Sequence, residues 1–161
     1  MNVASIREFD PARDTPALKS LVIELQNHER QYEPGMPEGS EMAQKYIDLV
    51  LARCHTWDGR VFVADAGGEV VGFSCVWARM KSDEPDDDPS EHAFVSDLAV
   101  SESHRGRGIG RALLSAAEAY ARTRGARVMR IRVLAQNAVA RGLYEAAGFL
   151  PHEIQLVKHL T

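Results

Sequence analysis

The sequence has few cysteines, no excess of positive charge and no long apolar run. Its two cysteines, Cys54 and Cys75, lack the close spacing of a metal-binding pair, so we expect reduced, packed thiols and no metal site. The formal net charge of −4 argues against a nucleic-acid partner. No apolar stretch approaches the roughly 20 residues of a membrane span, which argues against a membrane partner. A cytoplasmic protein with a single domain over residues 1–161 is expected.

The most informative stretch is a basic, glycine-rich turn between a predicted strand and a predicted helix. Residues 94–100 are mostly apolar and predict a strand, and apolar residues recur at helical spacing between Ile109 and Tyr120. Between them, residues 105–110 read Arg-Gly-Arg-Gly-Ile-Gly. Glycines allow close backbone approach, and the free N–H groups of a first helical turn attract anions. The turn predicts a site for a phosphate-bearing ligand, and the structural alternative is a connection with solubilising arginines.

Two common phosphate-binding motifs do not fit this turn. The dinucleotide fingerprint places its third glycine where this sequence has Arg111, and its later acidic residue where residues 127–132 are basic and apolar. The nucleotide-triphosphate loop needs Gly-Lys followed by Ser or Thr, and that pair is absent. What remains is Arg-x-x-Gly-x-Gly, formed by Arg105, Gly108 and Gly110.

The rest of the chain predicts one mixed sheet with helices on both faces. Asp10 and Pro11 are a cap and a first helical residue, and Gly67-Gly68 is a two-residue hairpin signal. The acidic stretch 81–91 holds two prolines and predicts a loop. The predicted strands are 3–9, 60–66, 69–80, 94–100, 128–134 and 149–160, and the predicted helices start at residue 10, near residue 40, at residue 109 and at residue 137.

A second motif lies at residues 137–149. An asparagine opens a helix, and the pair Leu143-Tyr144 precedes Gly148-Phe149. This segment resembles the second cofactor motif of the GCN5-related N-acetyltransferase (GNAT) superfamily, and the turn at 105–110 resembles its acyl-CoA pyrophosphate loop. The order of elements matches the family over nearly the whole chain. The resemblance implies an α/β (α+β) single-domain GNAT-like fold with a mixed, mostly antiparallel sheet of about seven strands, and acetyl-CoA as acyl donor.

The resemblance also assigns residues to the cofactor. A splay between the strand at 94–100 and its neighbour would leave main-chain groups free to pair with the pantetheine arm. The arginines and glycines of the turn would hold the pyrophosphate, and Asn137 would hold the arm near the thioester while also capping its helix. The implied cofactor-binding residues are Leu98, Ala99, Val100, Arg105, Gly106, Arg107, Gly108, Ile109, Gly110, Arg111, Asn137 and Tyr144.

Two residues are candidates for catalysis. The family places a tyrosine at Tyr144 to protonate the leaving thiolate, although a core aromatic is the structural alternative. Many relatives have a glutamate on the strand before the loop; here the position before Asp97 is Ser96, which leaves Asp97 as the first candidate for the base. Further base candidates of lower rank are Glu91, His92 and His104.

The acceptor is expected to be a cationic amine. The acidic loop could attract such a ligand, although a solvated charge run is the alternative. In the family, this loop and the segment between the first two helices flank the acceptor site, and the second segment carries an aromatic and a histidine. The candidate substrate-binding residues are His28, Tyr32, Asp83, Glu84, Asp86 and Asp87.

The sequence therefore predicts an N-acetyltransferase that moves an acetyl group from acetyl-CoA to a small primary amine, such as a polyamine, an aminoglycoside or an amino-acid derivative. The amine attacks the thioester directly in a ternary complex. Two alternatives stay open: an enzyme for protein lysines or N-termini, and a non-catalytic acyl-CoA-binding module. Relatives are often dimers, and the last predicted strand is a candidate pairing edge, which leaves a homodimer open.

Overall fold

The computed structural model describes residues 4–160, which form one five-stranded sheet with its strands in sequence order. Neighbouring strands are antiparallel, except that the last two are parallel. The strands are β1 (Ser5–Glu8), β2 (Gly59–Asp65), β3 (Val70–Met80), β4 (His92–Val100) and β5 (Met129–Ile131). The predicted mixed, mostly antiparallel sheet is confirmed.

Four helices cover the two faces of the sheet. One core cluster joins α1 and α2 to residues such as Val63 and Phe73 of the sheet, and a second cluster joins α3 and α4 to Val76 and Val95. None of these helices, within residues 4–160, is long and apolar enough to cross a membrane. The helices are α1 (Pro11–Glu29), α2 (Gly39–Thr56), α3 (Ile109–Thr123) and α4 (Ala138–Ala146).

Local sequence signals set several of these boundaries. The Asp10 side chain accepts a hydrogen bond from the Ala12 amide at 3.0 Å, and Pro11 opens α1, as predicted. Gly67 and Gly68 both have positive φ, at 73° and 99°, and they form the tight turn between β2 and β3. These elements follow from short-range rules that the sequence displays directly.

The end of the chain differs from the prediction. No strand forms between residues 149 and 160, and β5 spans three residues where residues 128–134 were predicted. The sheet in residues 4–160 therefore has five strands rather than about seven. Alternating apolar residues such as Ile154 and Leu156 favour a strand, but a strand also needs a backbone partner, and residues 150–160 are fully exposed. The predicted first strand began at Val3, which lies outside the described residues.

A partly buried ion pair ties β1 to the start of α1. Arg7 donates two hydrogen bonds to the Asp14 carboxylate at 2.7 and 2.9 Å, and Asp14 is 1% exposed. The Asp10 amide donates a further bond to the same carboxylate at 2.8 Å. Hydrogen bonds from Arg7, aided by its charge, hold the pKa of Asp14 below its usual range, against the effect of burial.

Replacing Asp14 with alanine should lower the free energy of unfolding by about 1–3 kcal/mol, because the Asp10 amide loses its acceptor and Arg7 loses one carboxylate partner while keeping its hydrogen bonds to Asp65. The depressed pKa gives stability that is present above the unfolded-state pKa of about 3.9 and is lost as pH falls through the native value. The difference between wild type and variant in urea unfolding should therefore shrink below about pH 4. Glu118→Ala, which removes an exposed pair with Arg122, is the control and should cost about 0.5 kcal/mol or less. Equal effects of the two variants would contradict this account.

Candidate active site

The site is built around a gap between β4 and β5. The two strands pair only from Ala93 to Val95, opposite Met129 to Ile131. Beyond that point β4 still pairs with β3 on its other side, through Leu98, Ala99 and Val100. Within residues 4–160, the edge of β4 that faces away from β3 therefore has no strand beside it over these three residues. Backbone groups in such a gap need a partner from water or from a ligand.

The glycine turn lies at the carboxyl end of this strand. Gly106 and Gly108 have φ values of 73° and 78°, and Gly108 caps α3 in the left-handed conformation. A Cβ at either position would meet nothing within 4 Å, so glycine is favoured by the backbone angle rather than by space. The first bond of α3 runs from the Ala112 amide to the Gly108 carbonyl. The preceding amides of α3 have no intrahelical partner, and such free amides at a helix start favour anions.

The arginines of the turn fold back onto the protein. Arg105 donates to the Val100 carbonyl at 3.0 Å and to the Glu24 carboxylate at 3.2 Å. Glu24 also accepts from the Glu102 amide at 2.7 Å. Arg107 donates to the Ser103 carbonyl at 3.0 Å, and Arg111 is exposed. Glu24 of α1 therefore holds the start of the turn in place, a contact that no short-range pattern in the sequence predicts.

Asp97 occupies a buried position on the face of α1 and α2. The register between β3 and β4 shifts at Ser96, so that Cys75 lies opposite Asp97 while Val76 lies opposite Val95. Asp97 is 6% exposed, and its carboxylate accepts from the Ser96 hydroxyl at 2.6 Å and the Tyr46 hydroxyl at 2.7 Å. Burial raises the pKa of Asp97, and these two donors oppose the rise. The carboxyl is thus held on the sheet with both oxygens engaged.

Two further ionisable groups belong to the same cluster. Glu29, in the last turn of α1, is half-buried; burial, and then the charge of Asp97, raise its pKa. Burial, followed by the charges of Glu29 and Asp97, raises the pKa of Tyr144 to about 12. Tyr46 has a raised pKa for the same reasons. Glu29, Tyr46, Asp97 and Tyr144 therefore form one electrostatic cluster, drawn from α1, α2, β4 and α4.

Tyr144 reaches this cluster from the opposite side of the sheet. It is 9% exposed and packs edge-on against Phe149, with ring centroids 6.0 Å apart. Within residues 4–160 its hydroxyl makes no hydrogen bond. Asn137, two turns earlier in the same helix, caps α4 by accepting from the Ala140 amide at 3.1 Å and is 8% exposed. The capping role of Asn137 is confirmed, and its amide NH₂ group remains available to a ligand.

The predicted acceptor residues fall into two groups. His28 and Tyr32 lie beside Glu29, with their rings edge-on at 5.6 Å. The acidic side chains lie on the exposed β3–β4 loop, where Asp87 feels the charge of Arg130 and Asp88 feels Arg130 and His92. The acidic loop therefore stands at the amino end of β4, where β4 pairs with β5, apart from the α1 group. The acidic residues of this loop are Asp83, Glu84, Asp86, Asp87 and Asp88.

The other base candidates have structural partners or are buried elsewhere. Glu91 pairs with Arg79 at 2.9 Å, and His104 contacts the hydroxyls of Ser101 and Ser103. His92 is 6% exposed. Residues 4–160 contain no group of three His, Cys, Asp or Glu side chains placed to hold a metal ion. Glu29 was not assigned a role from the sequence. It becomes a second candidate for the base, beside Asp97, because the fold brings the end of α1 to β4.

Comparison with known proteins decides the family. Residues 22–149 match the model of the acetyltransferase (GNAT) family. This chain belongs to the GNAT family. It is an acetyl-CoA-dependent N-acetyltransferase, and the free amides of the turn and the open edge of β4 suit the phosphates and the amide groups of that donor.

Relatives of this acetyltransferase differ in what they act on. An uncharacterized N-acetyltransferase (YycN) of Bacillus subtilis is 29% identical over 132 residues, which cover 78% of each chain. A mycothiol acetyltransferase of Thermobispora bispora is 31% identical over 147 residues, which cover 89% of this chain and 45% of the relative. The chain thus spans less than half the length of that relative. The structure of AAC(6')-Iy with a bisubstrate analog of CoA and acetylneamine has a TM-score of 0.70 at 21% identity and covers 98% of both chains.

Removing the two arginines of the turn tests its part in donor binding. Arg105→Ala combined with Arg107→Ala should weaken CoA binding by about tenfold or more and reduce its dependence on salt, because exposed charge interactions are screened by ions. Calorimetric titration of CoA at two salt concentrations measures both effects. Arg122→Ala, an exposed arginine at the far end of α3, is the matched control. An unchanged affinity in the double variant would refute the assignment of the turn to the pyrophosphate.

Proposed function

We propose that this acetyltransferase acetylates a small cationic primary amine by direct attack on the thioester of acetyl-CoA. The observation that carries the proposal is the Asp97 carboxylate, which the Ser96 and Tyr46 hydroxyls hold on β4 next to the unpaired edge at Leu98–Val100. The charge of Asp97 acts on Glu29 of α1 and on Tyr144 of α4, and these groups complete the cluster. It combines two carboxyls able to take a proton with a hydroxyl able to give one. Direct attack needs both groups at a single thioester and no nucleophile from the protein.

The donor would lie along the unpaired edge of β4. Main-chain groups of Leu98, Ala99 and Val100 would pair with the pantetheine arm as an added strand does. The pyrophosphate would sit on the turn, at the amides of Gly106, Gly108, Ile109 and Gly110 and near the charges of Arg105, Arg107 and Arg111. In this position the thioester would lie between the carboxyls of Glu29 and Asp97 and the hydroxyl of Tyr144. Asn137 would orient the last part of the pantetheine arm.

The two carboxyls would act together as the base. An amine of pKa about 10.4 is mostly protonated at pH 7, and freeing it costs about 4.6 kcal/mol. A carboxyl of raised pKa is a better proton acceptor than an ordinary one. Both oxygens of Asp97 accept internal hydrogen bonds, whereas Glu29 is half-exposed and makes no such bond within residues 4–160. Glu29 would therefore accept the proton of the amine, directly or through a water molecule. The charge of Asp97 would raise the pKa of Glu29 and so make it a better proton acceptor.

Tyr144 would protonate the leaving thiolate. With a phenol pKa of about 12, transfer to a thiolate of pKa about 8.5 is uphill by about 5 kcal/mol. Part of that raised pKa comes from the charge of Glu29. Once Glu29 has taken the proton of the amine, that charge is gone and the phenol becomes a stronger acid. Proton transfer from the amine to Glu29 would thus favour proton transfer from Tyr144 to the thiolate.

The acidic loop and the α1 segment support a cationic acceptor. Asp83, Glu84, Asp86 and Asp87 carry exposed negative charge that attracts an amine by long-range steering. His28 and Tyr32 would contact its body next to Glu29. The aminoglycoside ligand of AAC(6')-Iy and the name of the mycothiol relative both support a small-molecule acceptor.

An amine panel tests the function. With acetyl-CoA, the enzyme should release CoA thiol faster with spermidine or kanamycin than with a lysine-containing peptide, and salt should weaken the apparent affinity for the amines because their charge is exposed to screening. Thiol release is followed with a chromogenic disulfide after the reaction is stopped. Preference for the peptide would indicate a protein acetyltransferase, and thiol release with none of the amines would contradict a small cationic acceptor.

Variants of the cluster test the two proton-transfer roles. Tyr144→Phe and Glu29→Gln should each lower kcat by about 10²-fold or more, while the Kd for acetyl-CoA stays within about twofold, because each variant removes a proton-transfer group. The wild-type rate should fall as pH drops through the raised pKa of Glu29, and Glu29→Gln should lose that fall. Glu33→Gln, an exposed change on the same segment, is the control. Weaker donor binding with unchanged kcat would exclude these roles.

Two expectations about the whole protein remain predictions. A homodimer stays open, with the exposed apolar residues of 150–160 and the outer edge of the three-residue β5 as candidate contact surfaces. A cytoplasmic location is supported by the use of acetyl-CoA and by the two unbridged thiols.

A further inference from the structure

The two cysteines meet in the core on the α2 side of the sheet. Cys54 lies in the last turn of α2 and Cys75 in the middle of β3, and their sulfur atoms are 3.5 Å apart, within range of an S–H···S hydrogen bond. Neither thiol has a part in the proposed acetyl transfer. Cys75 is fully buried, whereas Cys54 is partly exposed.

A glycine makes room for this contact. A Cβ on Gly59, the first residue of β2, would lie 2.8 Å from the Cys54 Cα and 2.9 Å from its sulfur. Only a residue without a side chain lets the end of α2 approach the sheet this closely. Because of this close approach, the Cys54 sulfur reaches the Cys75 sulfur on β3.

The two thiols differ in reactivity. The hydrogen bond with Cys75, the Trp77 indole and the charge of Arg60 lower the pKa of Cys54, against burial and the charge of Asp97. The Trp77 Nε1–H is buried and has no conventional hydrogen-bond partner within residues 4–160, so a thiolate at Cys54 would offer it an acceptor. The bond with Cys54, burial and the charge of Asp97 raise the pKa of Cys75 well above its usual range. Cys54, the more accessible of the two cysteines, is therefore the one that loses its proton more readily.

We propose that Cys54 and Cys75 are an oxidation site that closes into an intramolecular disulfide on reaction with a low-molecular-weight disulfide. The Cys54 thiolate attacks one sulfur of the reagent RSSR, forms a mixed disulfide and releases RS⁻. The Cys75 sulfur then attacks the Cys54 sulfur and displaces the second RS⁻, and the proton of Cys75 goes to this leaving thiolate. The protein loses two electrons and two protons, and RSSR is reduced to two RSH.

The bond would fasten α2 to the sheet behind the active site. A disulfide requires the sulfurs to close from 3.5 Å to about 2.05 Å, which small side-chain rotations can provide. Cys75 lies opposite Asp97 in the β-ladder, and Tyr46, two turns before Cys54 on α2, donates to Asp97. Oxidation would thus restrain the helix that holds the Asp97 carboxylate, and it would close a loop over residues 54–75 that constrains the unfolded chain.

Oxidised glutathione is the probe for the full-length protein. After incubation, intact mass should fall by the mass of two hydrogens, peptide mapping should join the Cys54 and Cys75 peptides, and Tm should rise by about 5 °C or more. Dithiothreitol should reverse all three changes. A stable mixed disulfide in the wild type, a disulfide between two chains, or two unreacted thiols would each overturn the proposal.

Single variants separate the two sulfurs. Cys75→Ala should accumulate one glutathionyl group on Cys54, because the resolving thiol is gone, whereas Cys54→Ala should remain unmodified because Cys75 is buried. A glutathionyl group on Cys75 in Cys54→Ala would contradict the assigned order. The peptide map of the wild type decides the question independently if either variant folds poorly.

Discussion

The structure depends on one strand that pairs along its whole length on one side and along only part of it on the other. β4 is held by β3 throughout, but β5 leaves it after Val95. The sheet thereby leaves main-chain groups without a strand partner at the point where α3 begins with free amides. Both sets of groups need polar partners, and one extended ligand with amides and phosphates can satisfy both. The proposed position of acetyl-CoA follows from this single constraint.

Burial then determines the chemistry beside the gap. The bulge at Ser96 directs Asp97 into the α1–α2 face, where Tyr46 and Ser96 hold its carboxylate. The charge of Asp97 helps to raise the pKa values of Glu29 and Tyr144, which approach from opposite faces of the sheet. A base that gives up its charge when it takes a proton makes its neighbouring acid stronger. The proposed reaction uses that coupling and needs no covalent intermediate.

Local rules were enough to predict much of this arrangement. The Asp10 cap, the Gly67-Gly68 turn, the glycine-rich turn before α3 and the Asn137 cap each depend on a few neighbouring residues. Contacts across the fold were not predictable in this way. Glu24 reaches the glycine turn and Glu29 reaches Asp97 only because α1 packs across the sheet.

The end of the chain shows a different limit of sequence patterns. Residues such as Ile154, Leu156 and Leu160 alternate as in a strand, yet a strand is a property of two segments and not of one. The outer edge of β5 is only three residues long, so within residues 4–160 it offers residues 149–160 little backbone to pair with. The cysteine pair is similar, because nothing in the spacing of Cys54 and Cys75 indicates that Gly59 lets their sulfurs meet.

A crystal structure of the complex with CoA tests the central claim most directly. The account predicts that the pantetheine arm pairs with the backbone of Leu98–Val100, that the pyrophosphate lies on the amides of residues 106–111, and that the CoA sulfur lies within hydrogen-bond distance of the Tyr144 hydroxyl. CoA bound away from the gap between β4 and β5, or a CoA sulfur remote from Tyr144, would contradict it.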